Sequence, residues 1–442
     1  MTSMRTENCG APLHFSRRTL LQGAVGGGAL WLTHVAERLA LADARSPRGK
    51  PPRSVIVLWL AGGPSQLETF DPHPGTKIGG ETRAVRTSVK GLQFGSGLAR
   101  VAEWADRLAV VRSVVSKEGD HERATYNMKT GFRPDPTLVH PSIGAVLCHQ
   151  KTDDVEIPRH VSILPGPWPA RGGYLGDEYD AFRTGDPASP IPDVKRRVSK
   201  DRFRRRVDDL LNVVEPSFAK GRLRELDRHT LHQHSFRAAL RMMSSDQLEA
   251  FDVSKEPQSV RDSFGDTPFG RGCLAAVRLI GVGVRCVEVT LTGWDSHTNN
   301  HATQHARLET LDPAFASLIR ELERRELLDD TLVLCAGEFG RTPRINDAGG
   351  RDHWPHGFSV VLGGGRIRGG VVYGETNPRP QLDRDKEKPD WEKDLVNPRP
   401  VEDIHATIYR ALEIDYEQEL QTPIGRPMVF SQGTPIRELL VG

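Results

Sequence analysis

A run of apolar residues, Leu332-Val333-Leu334-Cys335-Ala336, empties directly into Gly337-Glu338-Phe339-Gly340-Arg341-Thr342-Pro343 and then Gly350-Arg351-Asp352-His353-Trp354. An apolar run of strand length with no polar alternation has no face for water, so it belongs inside a sheet covered on both sides. The run Val55–Leu60 reads the same way, and Leu108–Val111 and Val161–Leu164 are weaker strands. Asp312 and Pro313 are expected to be the N-cap and first residue of an amphipathic helix carrying Phe315, Leu318, Ile319 and Leu322, which leads into the strand at Thr331. Phe358–Leu362 and Val371–Tyr373 read as late strands and Val401–Leu412 as a closing helix. Helix and strand alternate, so the expected fold is α/β: a doubly wound, mostly parallel sheet with helices on both faces.

The interval from Pro187 to Gly265 departs from this alternation. It is helical and arginine-rich, with Arg196-Arg197, Lys200, Arg202 and Arg204-Arg205-Arg206 at its start, and is expected to be a helical insertion over about 187–265. Interleaved Asp201, Asp208 and Asp209 make that charge run a solvated helix face. Over the whole chain 60 basic residues meet 58 acidic ones, which leaves no global field to draw nucleic acid or an anionic membrane.

Ser16-Arg17-Arg18-Thr19-Leu20-Leu21 is a twin-arginine pattern, followed by an apolar stretch and then Ala40-Leu41-Ala42 or Ala42-Asp43-Ala44 as a cleavage site. Residues 1–44 are therefore expected to be a signal peptide read by the twin-arginine export machinery, with residues 45–442 delivered to the periplasm or beyond. The clean apolar run Leu20–Leu32 is too short to span a bilayer. The four cysteines beyond the signal, Cys148, Cys273, Cys286 and Cys335, have no metal-binding spacing. Free buried thiols are expected, with a Cys273 to Cys286 bridge as the alternative.

In open α/β sheets ligands bind outside the carboxyl ends of the strands. Two clusters sit at such ends. Val287–Leu291 runs into Gly293-Trp294-Asp295-Ser296-His297 with His301 and His305 following, and the second is the Glu338 to His353 stretch. Asp295, His297, His301, Glu338, Asp352 and His353, with His356 nearby, mix oxygen and imidazole ligands. That mixture suits a divalent metal, with zinc the first expectation and manganese, iron or calcium the alternatives. Arg341 and Arg351 offer forks for a phosphate or sulfate oxyanion, or else salt bridges that hold Glu338 or Asp352.

The stretch Ser54–Asp71, with Ala61-Gly62-Gly63-Pro64-Ser65-Gln66-Leu67-Glu68-Thr69-Phe70-Asp71, together with the Gly293, Gly337 and Gly350 motifs, closely resembles the exported domain-of-unknown-function 1501 proteins. That family looks like a branch of the alkaline phosphatase and sulfatase superfamily, so the resemblance implies an alkaline-phosphatase-like fold, paired metals and a phosphate or sulfate ester. It places Asp295 with His297 or His301 where the superfamily has Asp and His ligands, and His353 at the late metal-binding histidine. Three departures stand out. Phe339 occupies the position of a histidine that should follow Glu338, the first strand ends in Ala61-Gly62-Gly63 without an acid, and His121 stands at the nucleophile's place in His121-Glu122-Arg123 through Met128-Lys129-Thr130-Gly131. Ser65 and Thr125 are candidate substitute hydroxyls, with a capping or turn hydroxyl as the alternative reading of each.

The function expected from these residues is metal-dependent hydrolysis of a small-molecule or polysaccharide ester of phosphate or sulfate. Asp295, His297, Glu338 and His353 would hold the metal, Arg341 would neutralise the oxyanion, and His121 would act as ligand or general acid. The alternative is a binding protein of the same fold that has lost the nucleophile. An oxidoreductase with a cofactor loaded before export is disfavoured, because the sequence has neither a dinucleotide fingerprint nor a cysteine cluster.

Overall fold

The computed structural model describes residues 54–151, 155–214, 216, 231–379 and 394–441. The expected signal peptide, residues 1–44, lies outside the described residues.

The strands of the central sheet are β1 (Ser54–Ala61), β2 (Leu108–Val115), β3 (His160–Ile163), β4 (Phe182–Thr184), β5 (Cys286–Thr292), β6 (Thr331–Ala336), β7 (Phe358–Gly364), β8 (Val371–Tyr373) and β9 (Arg399–Pro400). Their spatial order is β8-β2-β7-β6-β1-β5-β3-β4, with β9 also paired to β2. β1 pairs parallel with β5 and β6, and β3 parallel with β5 and β4. β7 runs antiparallel to both β6 and β2. Two antiparallel steps restore the direction, so β2 runs with β1, as do β8 and β9, which pair parallel with β2. The architecture is α/β with a mixed, mostly parallel sheet, the class the strand and helix alternation indicated.

This topology positions the site. The carboxyl ends of β1, β2, β5 and β6 share one edge, and the reversed β7 begins at that same edge. The segments that leave four strands and the segment that enters a fifth therefore meet there.

Along β1, Ile56, Leu58 and Leu60 join one apolar cluster with α5 (Pro268–Gly281) and α6 (Asn300–Arg324). Val55, Val57 and Trp59 join the opposite cluster, with α1 (His121–Thr130), α2 (Ile143–Gln150) and α7 (Val401–Ala411). Both faces of β1 are covered, which is why its sequence lacks alternation. Each fully buried aliphatic side chain contributes roughly 1.5–3 kcal/mol. Thr267 caps α5 through Gly270 N–H, and Pro268 opens it without losing a helical hydrogen bond.

The helix expected to start at Asp312 does not start there. α6 is continuous from Asn300 to Arg324 with Pro313 inside it. The Asp312 carboxylate caps a different element instead, accepting from Val101 N–H at 2.8 Å and Arg100 N–H at 3.0 Å. Leu308, Leu311 and Phe315 are buried on either side of Pro313, so the apolar seam outweighs the hydrogen bond that proline removes. Cys148, Cys273, Cys286 and Cys335 are all buried thiols outside any disulfide.

Within residues 187–265, α3 (Lys200–Asp209) and α4 (His232–Ser244) are helical, and the described residues there add no strand to the sheet. Phe251, Val253 and Phe264 reach into the same apolar cluster as α5. Among the described residues no helix is long and apolar enough to cross a membrane.

Candidate metal centre

β1 leaves the sheet through Gly62 and Gly63, at φ +116° and +75°, a region other residues rarely adopt. A Cβ on Gly62 would lie 2.6 Å from the Asp295 nitrogen, and one on Gly63 would lie 2.5 Å from the Phe339 ring. Only glycine lets this turn pass between the segments that follow β5 and β6. Gly62 N–H then donates to Glu338 Oε1 at 2.8 Å. The end of β1 thus offers Glu338 a backbone donor and carries no acid of its own.

His121, Asp295 and His353 bring donor atoms that all lie within 4.8 Å of one another. His121 opens α1, whose N-cap Asp120 accepts from Glu122 and Arg123 N–H. Asp295 follows β5, and His353 sits in a short ribbon, Gly340–Arg341 paired with His353–Trp354, just before β7. His121 Nε2 is 3.4 Å from Asp295 Oδ2, and His353 Nε2 is 3.4 Å from Asp295 Oδ1. His297 adds a further imidazole, its Nε2 3.2 Å from Asp295 Oδ1 and 3.1 Å from His353 Nε2.

The outer partners dictate the tautomers. His353 Nδ1 faces the Gly119 carbonyl at 2.8 Å, and a carbonyl can only accept, so this nitrogen carries the proton. His297 Nδ1 faces Asp352 Oδ1 at 2.9 Å, and His121 Nδ1 faces Glu338 Oε1 at 2.7 Å, so both donate outward to carboxylates. In neutral imidazoles the three Nε2 atoms then present lone pairs inward. Two such lone pairs, on His297 and His353, confront each other, and only a proton or a cation relieves that contact.

Carboxylate or carbonyl partners behind imidazoles are how proteins orient histidines on metals. Oxygen and nitrogen donors roughly 2.0–2.2 Å from a shared ion at tetrahedral angles lie about 3.3–3.6 Å apart, and the contacts of Asp295 with His121, His297 and His353, at 3.4, 3.2 and 3.4 Å, are close to that.

Charge agrees with geometry. Asp295, Glu338 and Asp352 contribute three negative charges against the one positive charge of Arg341. Glu338 is buried, and its Oε2 has no hydrogen-bond partner, a costly state for an anionic oxygen unless a cation is close. The hydrogen bond to Glu338 raises the His121 pKa above its ordinary value, whereas burial lowers that of His353. Burial pushes the Asp295 carboxyl upward, but Arg341 outweighs it and the net shift is down.

Of the residues singled out from sequence, His121, Asp295, His297 and His353 converge. Glu338 and Asp352 stand one layer out, against the far nitrogens of His121 and His297. Arg341 is fully buried beneath Asp295, donating to Asp295 Oδ1 at 2.6 Å and to the carbonyls of Gly62, Gly63 and Arg351, and is therefore not open to a substrate oxyanion. Arg351 is equally buried. It pairs with Glu68 and binds the carbonyls of Ile78, Thr342 and Pro343.

Ser65 is fully buried, with its N–H on Gln304 Oε1 at 3.0 Å, so its hydroxyl is not presented to solvent. Thr125 is buried too. His301 lies away from the cluster on α6, lining a small cavity with Glu68, Thr82 and His305.

Several supports escaped sequence reasoning. Gln304, fully buried, donates to the Trp294 carbonyl and Ser296 Oγ, both at 2.9 Å, while accepting from Ser65. It ties the Asp295 segment to the segment after β1. Gln66 clamps the Arg341 backbone through N–H and carbonyl at 3.0 and 2.9 Å. Phe339 floors the cluster, its ring 4.4 Å from that of His353 and 5.0 Å from that of His121. The paired glycines were the visible signal for the close approach. A lone glutamine in a helix carries none.

The family model described as "Protein of unknown function (DUF1501)" matches residues 52–440. No curated protein matches the chain. Among solved structures, Ps i-CgsB is similar over 83% of this chain and 73% of its own, at 8% identity and a TM-score of 0.39. The PsFucS1 sulfatase from Pseudoalteromonas sp. is similar over 87% and 71%, at 13% identity and TM-score 0.37. A protein in the alkaline phosphatase superfamily from Vibrio parahaemolyticus is similar over 83% and 68%, at 10% identity and TM-score 0.34.

Proposed function

We propose, from the premise that the chain belongs to the DUF1501 family, that the cluster at the carboxyl edge of the sheet is a divalent-metal centre and that the protein is a metal-dependent hydrolase of phosphate or sulfate esters. The observation that carries the metal is the opposition of the His297 and His353 Nε2 lone pairs at 3.1 Å, beside Asp295, with each Nδ1 already committed outward. The ester class rests on the motif resemblance to the alkaline phosphatase and sulfatase superfamily.

His121, Asp295, His297 and His353 would hold the ion, and their nitrogen and oxygen donors favour zinc. A bound dication supplies a Lewis acid that polarises an ester oxygen and makes water more acidic. Glu338 and Asp352 orient His121 and His297 and keep their protons on the outer nitrogens. Arg341 holds one oxygen of Asp295 and with it the turn after β1. Phe339 keeps water from beneath the cluster.

The test is metal analysis of protein purified without chelator, joined to turnover of aryl phosphate and aryl sulfate esters. Near-stoichiometric zinc or another divalent metal is expected, with hydrolysis lost to chelator and restored by the metal. Metal-free protein under metal-replete conditions would refute the reading.

A second reading, a metal-bound binding protein, is favoured by the burial of Ser65 and Thr125, which removes both candidate hydroxyl nucleophiles. Stoichiometric metal without turnover of any ester would decide for it.

Export by the twin-arginine route is proposed on the Ser16-Arg17-Arg18 pattern alone. Replacing Arg17 and Arg18 with lysine is expected to leave unprocessed protein in the cytoplasm, as read by fractionation and immunoblotting. Normal processing of that variant would overturn the assignment.

A further inference from the structure

The segment after β5 and the segment before β7 are joined along their backbones. Arg351 N–H donates to the Ser296 carbonyl at 3.0 Å. A Cβ on Gly350 would lie 1.8 Å from the His297 carbonyl oxygen, so glycine is what lets the two chains approach this closely. α6 begins without a side-chain cap, and the N–H groups of Asn299 and Asn300 at its start donate instead to the carbonyls of Ala348 and Gly349, at 3.3 and 2.9 Å. Asn346 is a side chain that crosses this seam. Its Oδ1 accepts from Ala348 and Gly350 N–H at 3.0 and 2.8 Å. A backbone N–H can only donate, so the other half of the amide is the NH2 group.

That NH2 group donates to the His297 carbonyl at 3.0 Å and to Asp352 Oδ1 at 3.3 Å. Asp352 Oδ1 is the same oxygen that faces His297 Nδ1 at 2.9 Å. One amide thus holds His297 twice, at its backbone and through the partner of its ring. We propose, on the metal-centre reading above, that Asn346 is a positioning residue for His297: its amide fixes Asp352 and with it the direction in which His297 Nε2 points. The requirement is for an amide. Asp and Asn both form such turns, so an aspartate at 346 could accept the same two N–H groups and keep the loop. It would, however, present an acceptor to the His297 carbonyl and a second carboxylate to Asp352. A role confined to the loop tolerates aspartate, and a positioning role does not.

The test compares cobalt binding by the unmodified protein, Asn346→Asp and Asn346→Ala, read by competition with a chromophoric chelator and by the visible spectrum of the cobalt-loaded protein. Both variants are expected to bind cobalt about tenfold or more weakly, the size typical of groups that orient a ligand. Asn346→Asp is the sharper case, because its added negative charge alone would tighten the binding of a dication. Its cobalt absorption bands are also expected to shift, since a displaced imidazole changes the ligand field.

In an Asp352→Ala background, Asn346→Asp is expected to cost less cobalt affinity than it does alone, because the group through which it acts is gone. Cobalt affinity in Asn346→Asp equal to or above that of the unmodified protein, or an equal loss with and without Asp352, overturns the inference and leaves the metal centre standing. Failure of the unmodified protein to take up cobalt overturns both.

Discussion

Asp295→Asn is expected to weaken divalent-metal binding more than about 100-fold, beyond the 10-fold to 100-fold typical of groups that only support a ligand. Asp295 is the group the cluster shares: its two oxygens face His121, His297 and His353 at 3.4, 3.2 and 3.4 Å. Asparagine keeps an oxygen for Arg341, so the fold should be little affected and the loss should appear in metal titration rather than in thermal unfolding. Glu338→Gln, which changes the partner behind His121, is expected to fall within about 10-fold to 100-fold. His301→Ala should leave metal content unchanged, because His301 lines a separate cavity with Glu68. Equal metal affinity in the Asp295 variant and the unmodified protein would sink the metal centre.

Arg351→Met is expected to cost about 3–5 kcal/mol of stability, measured by urea unfolding, with a far smaller effect on metal affinity per folded molecule. Arg351 is fully buried and Glu68 is 5% exposed, so the substitution strands an ionised carboxylate away from water. It also removes the donors to the Ile78, Thr342 and Pro343 carbonyls that pin the loop before His353. Removing both partners, as Arg351→Met with Glu68→Leu, should recover part of the loss, since a buried pair replaced by apolar groups no longer leaves a lone charge. A double variant less stable than Arg351→Met would show that the pairing is not the source of the cost.

Strand positions were legible because burial on both faces erases alternation, as in Val55–Leu60 and Leu332–Ala336, and the polar residues after β5 and β6 marked the edge where the histidine and carboxylate cluster forms. The long α6 was misread at its middle. Asp312-Pro313 is a strong local start signal, but the carboxylate is claimed by Arg100 and Val101, more than two hundred residues earlier in the chain. Local preference yielded to a tertiary partner.

The sequence by itself was sufficient for the class of fold and for which polar segments would meet at one edge of the sheet, since both follow from periodicity and from where polar residues end apolar runs. It could also nominate Asp295, His297 and His353. Only the tertiary structure decided which groups face each other and which stand behind. Glu338 and Asp352 look like ligands in sequence, yet each lies against the outer nitrogen of a histidine. Arg341 looks like an oxyanion fork, yet it is buried with its donors on carbonyls and Asp295. The reason is physical: a side chain's role depends on which nitrogen or oxygen is left facing the cavity. That depends on partners supplied by distant strands, the antiparallel entry of β7 among them.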